Sequence, residues 1–330
     1  MSLVDKKYDS AIIIVDFNTM QRTVHYIEDS QDNFISNQLL YVVVENGSEN
    51  DEKLKERFFE LKGNLKDFSN KKRIVGSSLF RSNSNHTIIF LKAKENYGFA
   101  ISNNIGAECA SNYLKDDGLY IFSNNDIIFT QLIDLNYYTN RFKKDYRVGL
   151  IGPKVIGLDG SCQSPYKYIG FGKRYIRTFI LWPLDRVLLR RKPIDDIIYN
   201  SHNGSSPYRV IGAFMIFSKE VFEKIGMFDE QTFMYYEESI ISEKLQRANK
   251  IIIYDDTYSI VHEGGATTSN VFTTANRLKI EFDSAIYYYR KYKDLGTASA
   301  FISKGLFLIY LMKRKLFYKK NKRYYSYERK

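Results

Sequence analysis

The sequence predicts an α/β fold with a mixed, mostly parallel central sheet flanked by helices. Three observations point to it. Short β-branched runs without charge recur along the first 130 residues. The intervals between them carry helical spacing. Each run is followed at once by a cluster of Asn, Asp or Gly. Strands buried on both faces read as continuous apolar runs, and alternation with helices argues for parallel pairing.

The elements follow in order. Ala11 to Asp16 (AIIIVD) is the first buried strand, and Tyr41 to Val44 (YVVV) the second. Met20 to Asn37, between them, is polar with spaced apolar residues and reads as a helix. Asp51 to Lys62 (DEKLKERFFELK) is a clearer amphipathic helix. Thr87 to Leu91 is the third strand, and Tyr120 to Phe122 opens a fourth. The stretch Gly149 to Gly212 is irregular, with a basic run from Arg186 to Lys192 and a loop from Ser201 to Tyr208. A loop region this long is usually functional. Val210 to Phe217 and Ile251 to Tyr254 return to strand. From Ala298 to Tyr325 apolar residues alternate with Lys and Arg at helical spacing.

Composition narrows the class. At 330 residues, with 44% hydrophobic and 15% aromatic content, the chain is globular and long enough to bury a full core. Cys109 and Cys162 stand far apart, which argues against a disulfide framework and against a cysteine-built zinc site. MSLVDKKYDS has no apolar core of signal-peptide length, and no run of about 18 apolar residues occurs, so a cytoplasmic protein without a spanning helix is expected. The net charge of +11 lies wholly in the tail: Arg277 to Lys330 holds 15 Lys plus Arg against 4 Asp plus Glu. Such asymmetry points to an anionic partner, a lipid surface or nucleic acid. The tyrosine-rich end KKNKRYYSYERK could stack bases, but the body is neutral and nucleic acid is not expected.

In a parallel sheet the ligand sits beyond the carboxyl ends of the strands. Asn18, Glu45-Asn46-Gly47-Ser48, Asn96-Tyr97-Gly98 and Asn124-Asn125-Asp126 all fall there. Asn124-Asn125-Asp126 reads equally well as an Asx-rich turn and as part of a metal site completed by phosphate oxygens. Glu45 could accept hydrogen bonds from a base or ribose, and Asn46-Gly47 is also a strong turn signal. His262, before two glycines, could meet a metal or a phosphate, although a lone histidine is more often structural. Glu237-Glu238 follows a strip of aromatics; it is either a helix N-terminus or a shielded pair with raised proton affinity. No G-x-G-x-x-G follows the first strand, and no P-loop, H-E-x-x-H or G-x-S-x-G occurs.

Taken in order, the pieces IIIVDFN, VVVENGS, NYGFAISNNIGA, FSNNDI, Gly152-Pro153, VIGAFMIF, GMFDEQTFMYYEES and VHEGGATT resemble glycosyltransferase family 2, in particular its rhamnosyltransferase-like bacterial members. The resemblance covers residues 11 to 268. It implies the GT-A fold: a domain of residues 1–270, with a Rossmann-like nucleotide-sugar half (1–130) and an acceptor half (131–270), followed by a basic amphipathic helical extension (271–330). It implies a nucleotide-sugar donor held by Phe17, Asn18, Glu45, Asn96, Gly98 and Asn125. Asp126 is the surviving acid of a D-x-D-like motif and, with His262, would hold Mn2+ or Mg2+. Glu238 stands at the catalytic base and Glu237 at the acid before it. Trp182 lies in the region expected to meet a glycan or lipid-linked acceptor. The reaction implied is an inverting transfer in cell-surface polysaccharide synthesis, with residues 297–330 resting on an anionic membrane surface at the inner face of the cell membrane. Four positions depart from the family pattern. Glu45 and Glu238 replace aspartates, Ile240 replaces a frequent acid, and Lys244 stands at an arginine position. These departures motivate the alternative of a weak or inactive nucleotide-sugar-binding relative.

Overall fold

In a computed structural model, the described residues are 7–35, 39–47, 49–180, 196–264 and 274–320, with side chains to 315. The first strand, β1 (Tyr8–Asp16), is the axis of the sheet. Ile12 and Ile14 face one core and Ala11 and Ile13 the other, so both sides of the strand are buried. That is why its sequence is a continuous apolar run.

The order continues with α1 (Met20–Asn33), β2 (Phe34–Ile35), β3 (Leu39–Glu45), α2 (Glu52–Arg57), β4 (Phe59–Leu61), β5 (Ile74–Arg81) and β6 (Thr87–Ala93). Then come α3 (Gly98–Ser111), β7 (Leu114–Ser123), β8 (Ile127–Phe129), β9 (Ile133–Asp134), α4 (Leu135–Lys144) and β10 (Val148–Ile156). After a π-helical turn at Gly172–Ile176 follow β11 (Phe214–Ser218), α5 (Lys219–Lys224), α6 (Glu237–Arg247), β12 (Ile251–His262), α7 (Thr274–Tyr292) and α8 (Thr297–Lys320).

Ten of these strands form one sheet in the order β4-β5-β6-β3-β1-β7-β11-β10-β12-β8. The block β6-β3-β1-β7 is parallel, and so is the pair β10-β12. Every other neighbouring pair in this sheet is antiparallel. The sheet is mixed as expected, but parallel pairing prevails only in its N-terminal half.

Several elements differ from the sequence reading. Asp51 to Lys62 is not one helix: α2 stops at Arg57, and Phe59–Leu61 pairs with β5 on the sheet edge. The β5 strand, second in the sheet beside the short β4, is exposed along Val75 to Ser77 and so lacks the continuous apolar run that marks a buried strand. β10 lies in the stretch read as irregular; Gly149, Gly152 and Pro153 interrupt its pattern, yet it is buried between β11 and β12. β12 runs to His262, well past Tyr254, because its second half pairs with β8.

The tail is no separate appendage. Phe282, Ala285, Tyr288 and Tyr289 of α7 and Phe307 and Tyr310 of α8 share an aromatic core with Phe171, Tyr175, Phe179 and Ile240. No helix among the described residues is long and apolar enough to cross a membrane.

Candidate active site

The carboxyl ends of β1, β3 and β7 converge, and buried polar side chains tie them together. Asp16 is fully buried, and its carboxylate accepts from Thr19 N–H (3.0 Å), Thr19 Oγ1 (2.9 Å) and Thr23 Oγ1 (2.5 Å). Burial raises its pKa above the ordinary value against these donors. Asn125 Nδ2 lies 3.1 Å from Asp16 Oδ2, 2.9 Å from Thr19 Oγ1 and 2.8 Å from Thr23 Oγ1. The turn carrying Asp126 is thereby fastened to the first strand. Asn46 fastens the other side. Its Nδ2 donates to Asn96 Oδ1 (3.0 Å) and Gly98 O (3.2 Å), while its Oδ1 accepts from Ser102 Oγ (2.9 Å). Asn46 lies in the polar cluster expected after the second strand, whereas Asp16 is a site-building residue the sequence reading missed. Its signal was available, since it lies at the end of a buried strand.

Gly98 opens α3 with a φ of +77°, and a Cβ there would stand 2.0 Å from the carbonyl oxygen of Phe233. Phe99 N–H donates to that same carbonyl at 2.9 Å. Only glycine allows so close an approach, which joins the start of α3 to the strip before α6.

That strip is strained. Tyr235 and Tyr236 are consecutive left-handed residues with φ of 74° and 73°. Such backbone clusters at functional sites. Upstream, Lys244 Nζ donates to Gly226 O (2.8 Å) and to Met227 O, clamping the turn that leads into the strip. Ile240 is packed into the aromatic core under α7, which explains an apolar residue at this position of α6.

An open cleft of about 330 Å3 lies between these parts. It brings together eight of the expected residues: Phe17, Asn96, Gly98, Asn125, Asp126, Glu237, Glu238 and His262. Asn18 and Glu45 do not line it. Asn18 is exposed, with its side chain over Gly47. Glu45 is buried beside it: Oε1 accepts from Gly47 N–H (2.7 Å), and Oε2 is buried without a hydrogen-bond partner. Burial pushes Glu45 up to about 7, with Asp16 and Glu49 adding repulsion and the N–H groups of Gly47 and Asn18 opposing. Trp182 lies outside the described residues.

Asp126 and His262 meet on one wall, with Nε2 3.2 Å from Oδ1. His262 Nδ1 is 2.7 Å from Gln163 Oε1, and Gln163 Nε2 donates to His262 O at 3.3 Å. An amide oxygen only accepts, so Nδ1 carries a proton, and when the ring is neutral Nε2 presents a lone pair toward Asp126. Asp126 Oδ1 is buried and receives no hydrogen bond. Two electron pairs thus face each other, an arrangement that suits a shared cation. Among the described residues no group of three His, Cys, Asp or Glu side chains could hold a metal, so a cation here would need oxygen ligands from a substrate. Gln163, another residue the sequence reading missed, lies in the irregular region and carried no signal.

The two glutamates sit in different environments. Glu237 is buried, its Oε1 lacks a partner, and burial with repulsion from Glu238 raises it to about 8. Glu238 accepts from Gly212 N–H at 3.0 Å, and a Cβ on Gly212 would stand 2.4 Å from its Oε1. Glu238 and Tyr235 also line a second cavity of about 150 Å3, walled by Tyr168, Tyr208, Tyr288 and Tyr289. Arg174 and Arg209 border it, each 2.8 Å from Asp196.

No family model and no curated protein matches the chain. Solved structures do. The mannosyltransferase PcManGT from Pyrobaculum calidifontis, in complex with GDP-Man and Mn2+, matches with a TM-score of 0.50 at 10% identity, covering 89% of this chain and 66% of that one. GalNAc-T7 with UDP, GalNAc and Mn2+ matches at TM-score 0.46 and 15% identity, over 78% of this chain and 44% of that one. TarS 1-349 of S. aureus matches at 0.49 and 10%, over 91% and 70%. The chain therefore spans less than two thirds of PcManGT and less than half of GalNAc-T7. At such identities the likeness is one of fold, and the fold it identifies is the GT-A-like fold of glycosyltransferases.

Proposed function

We propose that this chain is an inverting glycosyltransferase of family 2, of the rhamnosyltransferase-like subgroup. Its donor is a nucleotide-diphospho-sugar, dTDP-rhamnose or a UDP-hexose. Its acceptor is a hydroxyl of a glycan or lipid-linked precursor in bacterial cell-surface polysaccharide synthesis, reached from the cytoplasmic side. The observation that carries this reading is the position of Glu238 at the junction of two cavities, in a cleft whose other wall holds Asp126 and His262.

Asp126 Oδ1 and His262 Nε2 fit Mn2+ or Mg2+, which when bound neutralises charge gathering on the diphosphate leaving group. Gln163 keeps the histidine in the tautomer able to ligate. Asn46 and Asn96 set the entry of α3 against the donor. The unpartnered oxygen of Glu45 accepts from the base or ribose once the Asn18–Gly47 loop admits it.

An acceptor hydroxyl is a weak nucleophile until its proton is taken. Glu238 takes it: its carboxylate is positioned by the Gly212 N–H and faces both the donor cleft and the tyrosine-lined cavity. Glu237, raised to about 8, is largely protonated at neutral pH and donates to a hydroxyl of the transferred sugar. A single in-line displacement inverts the anomeric centre and needs no covalent intermediate.

A thermal-shift panel of nucleotide sugars with and without Mn2+ tests the reading, followed by product analysis with the best binder. One donor should stabilise the protein in a metal-dependent way and be turned over with inversion. Binding without transfer or hydrolysis for every donor would favour the non-catalytic relative, which the departures at Glu238 and Ile240 suggest. No binding at all would end the proposal.

A further inference from the structure

α8 is apolar on two opposite faces. Ala300, Ser303, Phe307 and Tyr310 recur at helical spacing and are buried against α7 and Phe179. On the other side Phe301, Ile302, Leu308, Ile309 and Met312 are 79%, 61%, 60%, 44% and 58% exposed. Spacings of one, seven, eight and eleven residues from Phe301 gather these five side chains on a single stripe roughly 120° wide, at about 100° per residue. Singly exposed apolar residues are ordinary, but a contiguous stripe of five marks a contact surface. A helix apolar all round is a helix that needs cover on both sides.

The charges beside the stripe select the cover. On the helical wheel, Lys304 and Lys315 flank one margin and Lys313 the other. Residues 295–327 contain eight Lys plus Arg and no Asp or Glu. A second copy of the stripe would bring lysines against lysines with no acid to offset them. An anionic lipid surface meets both demands: acyl chains receive the apolar stripe, and headgroups receive lysines that extend outward from its margins.

We infer that the outward face of α8 lies in the interface of an anionic membrane, with Phe301, Leu308 and Met312 inserted and Lys304, Lys313 and Lys315 at headgroup level. The helix lies on the membrane and does not cross it. The inference rests on the two faces of α8 and not on the transferase reading, so either can fail alone. If both hold, a lipid-carried acceptor is delivered to the protein surface by diffusion in two dimensions.

Co-sedimentation of the full chain, without donor or metal, tests it on phosphatidylglycerol-rich and pure phosphatidylcholine vesicles at low and high salt. Binding to the anionic vesicles should be about tenfold or more stronger, and should weaken with salt. The Phe301→Glu/Leu308→Glu/Met312→Glu variant should lose it. These side chains are exposed, so an unchanged melting temperature serves as the folding control. Lys304→Gln/Lys313→Gln/Lys315→Gln should weaken binding to the anionic vesicles while leaving the apolar stripe intact. Equal binding to both vesicle types, or undiminished binding of the triple Glu variant, would overturn the inference. So would a dimer in light scattering that the triple Glu variant dissociates, since the stripe would then be a protein interface.

Discussion

The two walls of the cleft are built by different means. The donor wall is made of strand ends: β1, β3 and β7 lie side by side, and Asp16, Asn46 and Asn125 lace their loops together. Each functional residue there follows its strand by a few positions. The opposite wall is gathered from distant segments: Gly212, the strained Tyr235–Tyr236 pair and Glu238. The first wall is rigid by hydrogen bonding. The second is held by close packing, left-handed backbone and the aromatic core beneath α7. The proposed function would place donor binding on the regular wall and proton transfer on the irregular one, where a base has to be aimed.

The comparison breaks or sharpens in a graded series. The largest effect is expected from Glu238→Gln, which should reduce transfer by about 10²–10⁴-fold. Donor binding, followed by calorimetry, should survive. Full turnover in that variant would move the base elsewhere, with Glu237 the next candidate.

Asp126→Ala should weaken metal-dependent donor binding by about 100-fold or more, since losing a ligand exceeds the usual cost of losing its orienting partner. Unchanged affinity in Mn2+ would remove Asp126 from the metal site. Gln163→Ala tests the orienting partner itself. It should lower Mn2+ affinity by roughly 10–100-fold, read by titration of the protein alone, and Gln163→Glu should restore much of it by accepting the same Nδ1–H.

Gly98→Ala addresses the joint between the walls. A Cβ at 2.0 Å from Phe233 O and a φ of +77° should cost about 1–3 kcal/mol in denaturant unfolding and loosen donor binding as well. A neutral outcome would mean that the walls are joined elsewhere.

The smallest effect concerns pH. Glu45 and Glu237 are raised from 4.5 to about 7 and about 8. The folded protein therefore binds more protons than the unfolded chain between these values. Their contribution to stability is complete below pH 4.5 and is lost as pH rises through 7 and 8. The slope is at most about 1.4 kcal/mol per pH unit for each group. Melting temperature measured without ligand should fall across that window, and Glu237→Gln should flatten the upper part. A rising curve would contradict the burial of both carboxyls.

Local sequence made the donor wall legible because a strand buried on both faces must be apolar and must end where polarity resumes. Ile12 to Asp16 and Val42 to Glu45 announce both facts. Asp126 was readable as a candidate for the same reason, and His262 because two glycines follow it. Gln163 was not readable. Its role exists only because β10 and β12 are parallel neighbours, which brings residues 163 and 262 to one place. β10 itself was hidden by Gly149, Gly152 and Pro153. The exposed stripe on α8 was visible as apolar spacing, but sequence could not say which of its two apolar faces was already covered.

By itself, then, the sequence determined the strand–helix alternation, the polar clusters at strand ends and the concentration of positive charge in the tail. All three follow from short-range rules, since burial and turn chemistry act on neighbouring residues. Tertiary structure alone decided the mixed pairing of the C-terminal half of the sheet, the unequal environments of Glu237 and Glu238, and the tautomer of His262. Each depends on contacts between residues far apart in the chain, and proton affinity in particular is set by whatever folding places beside a group.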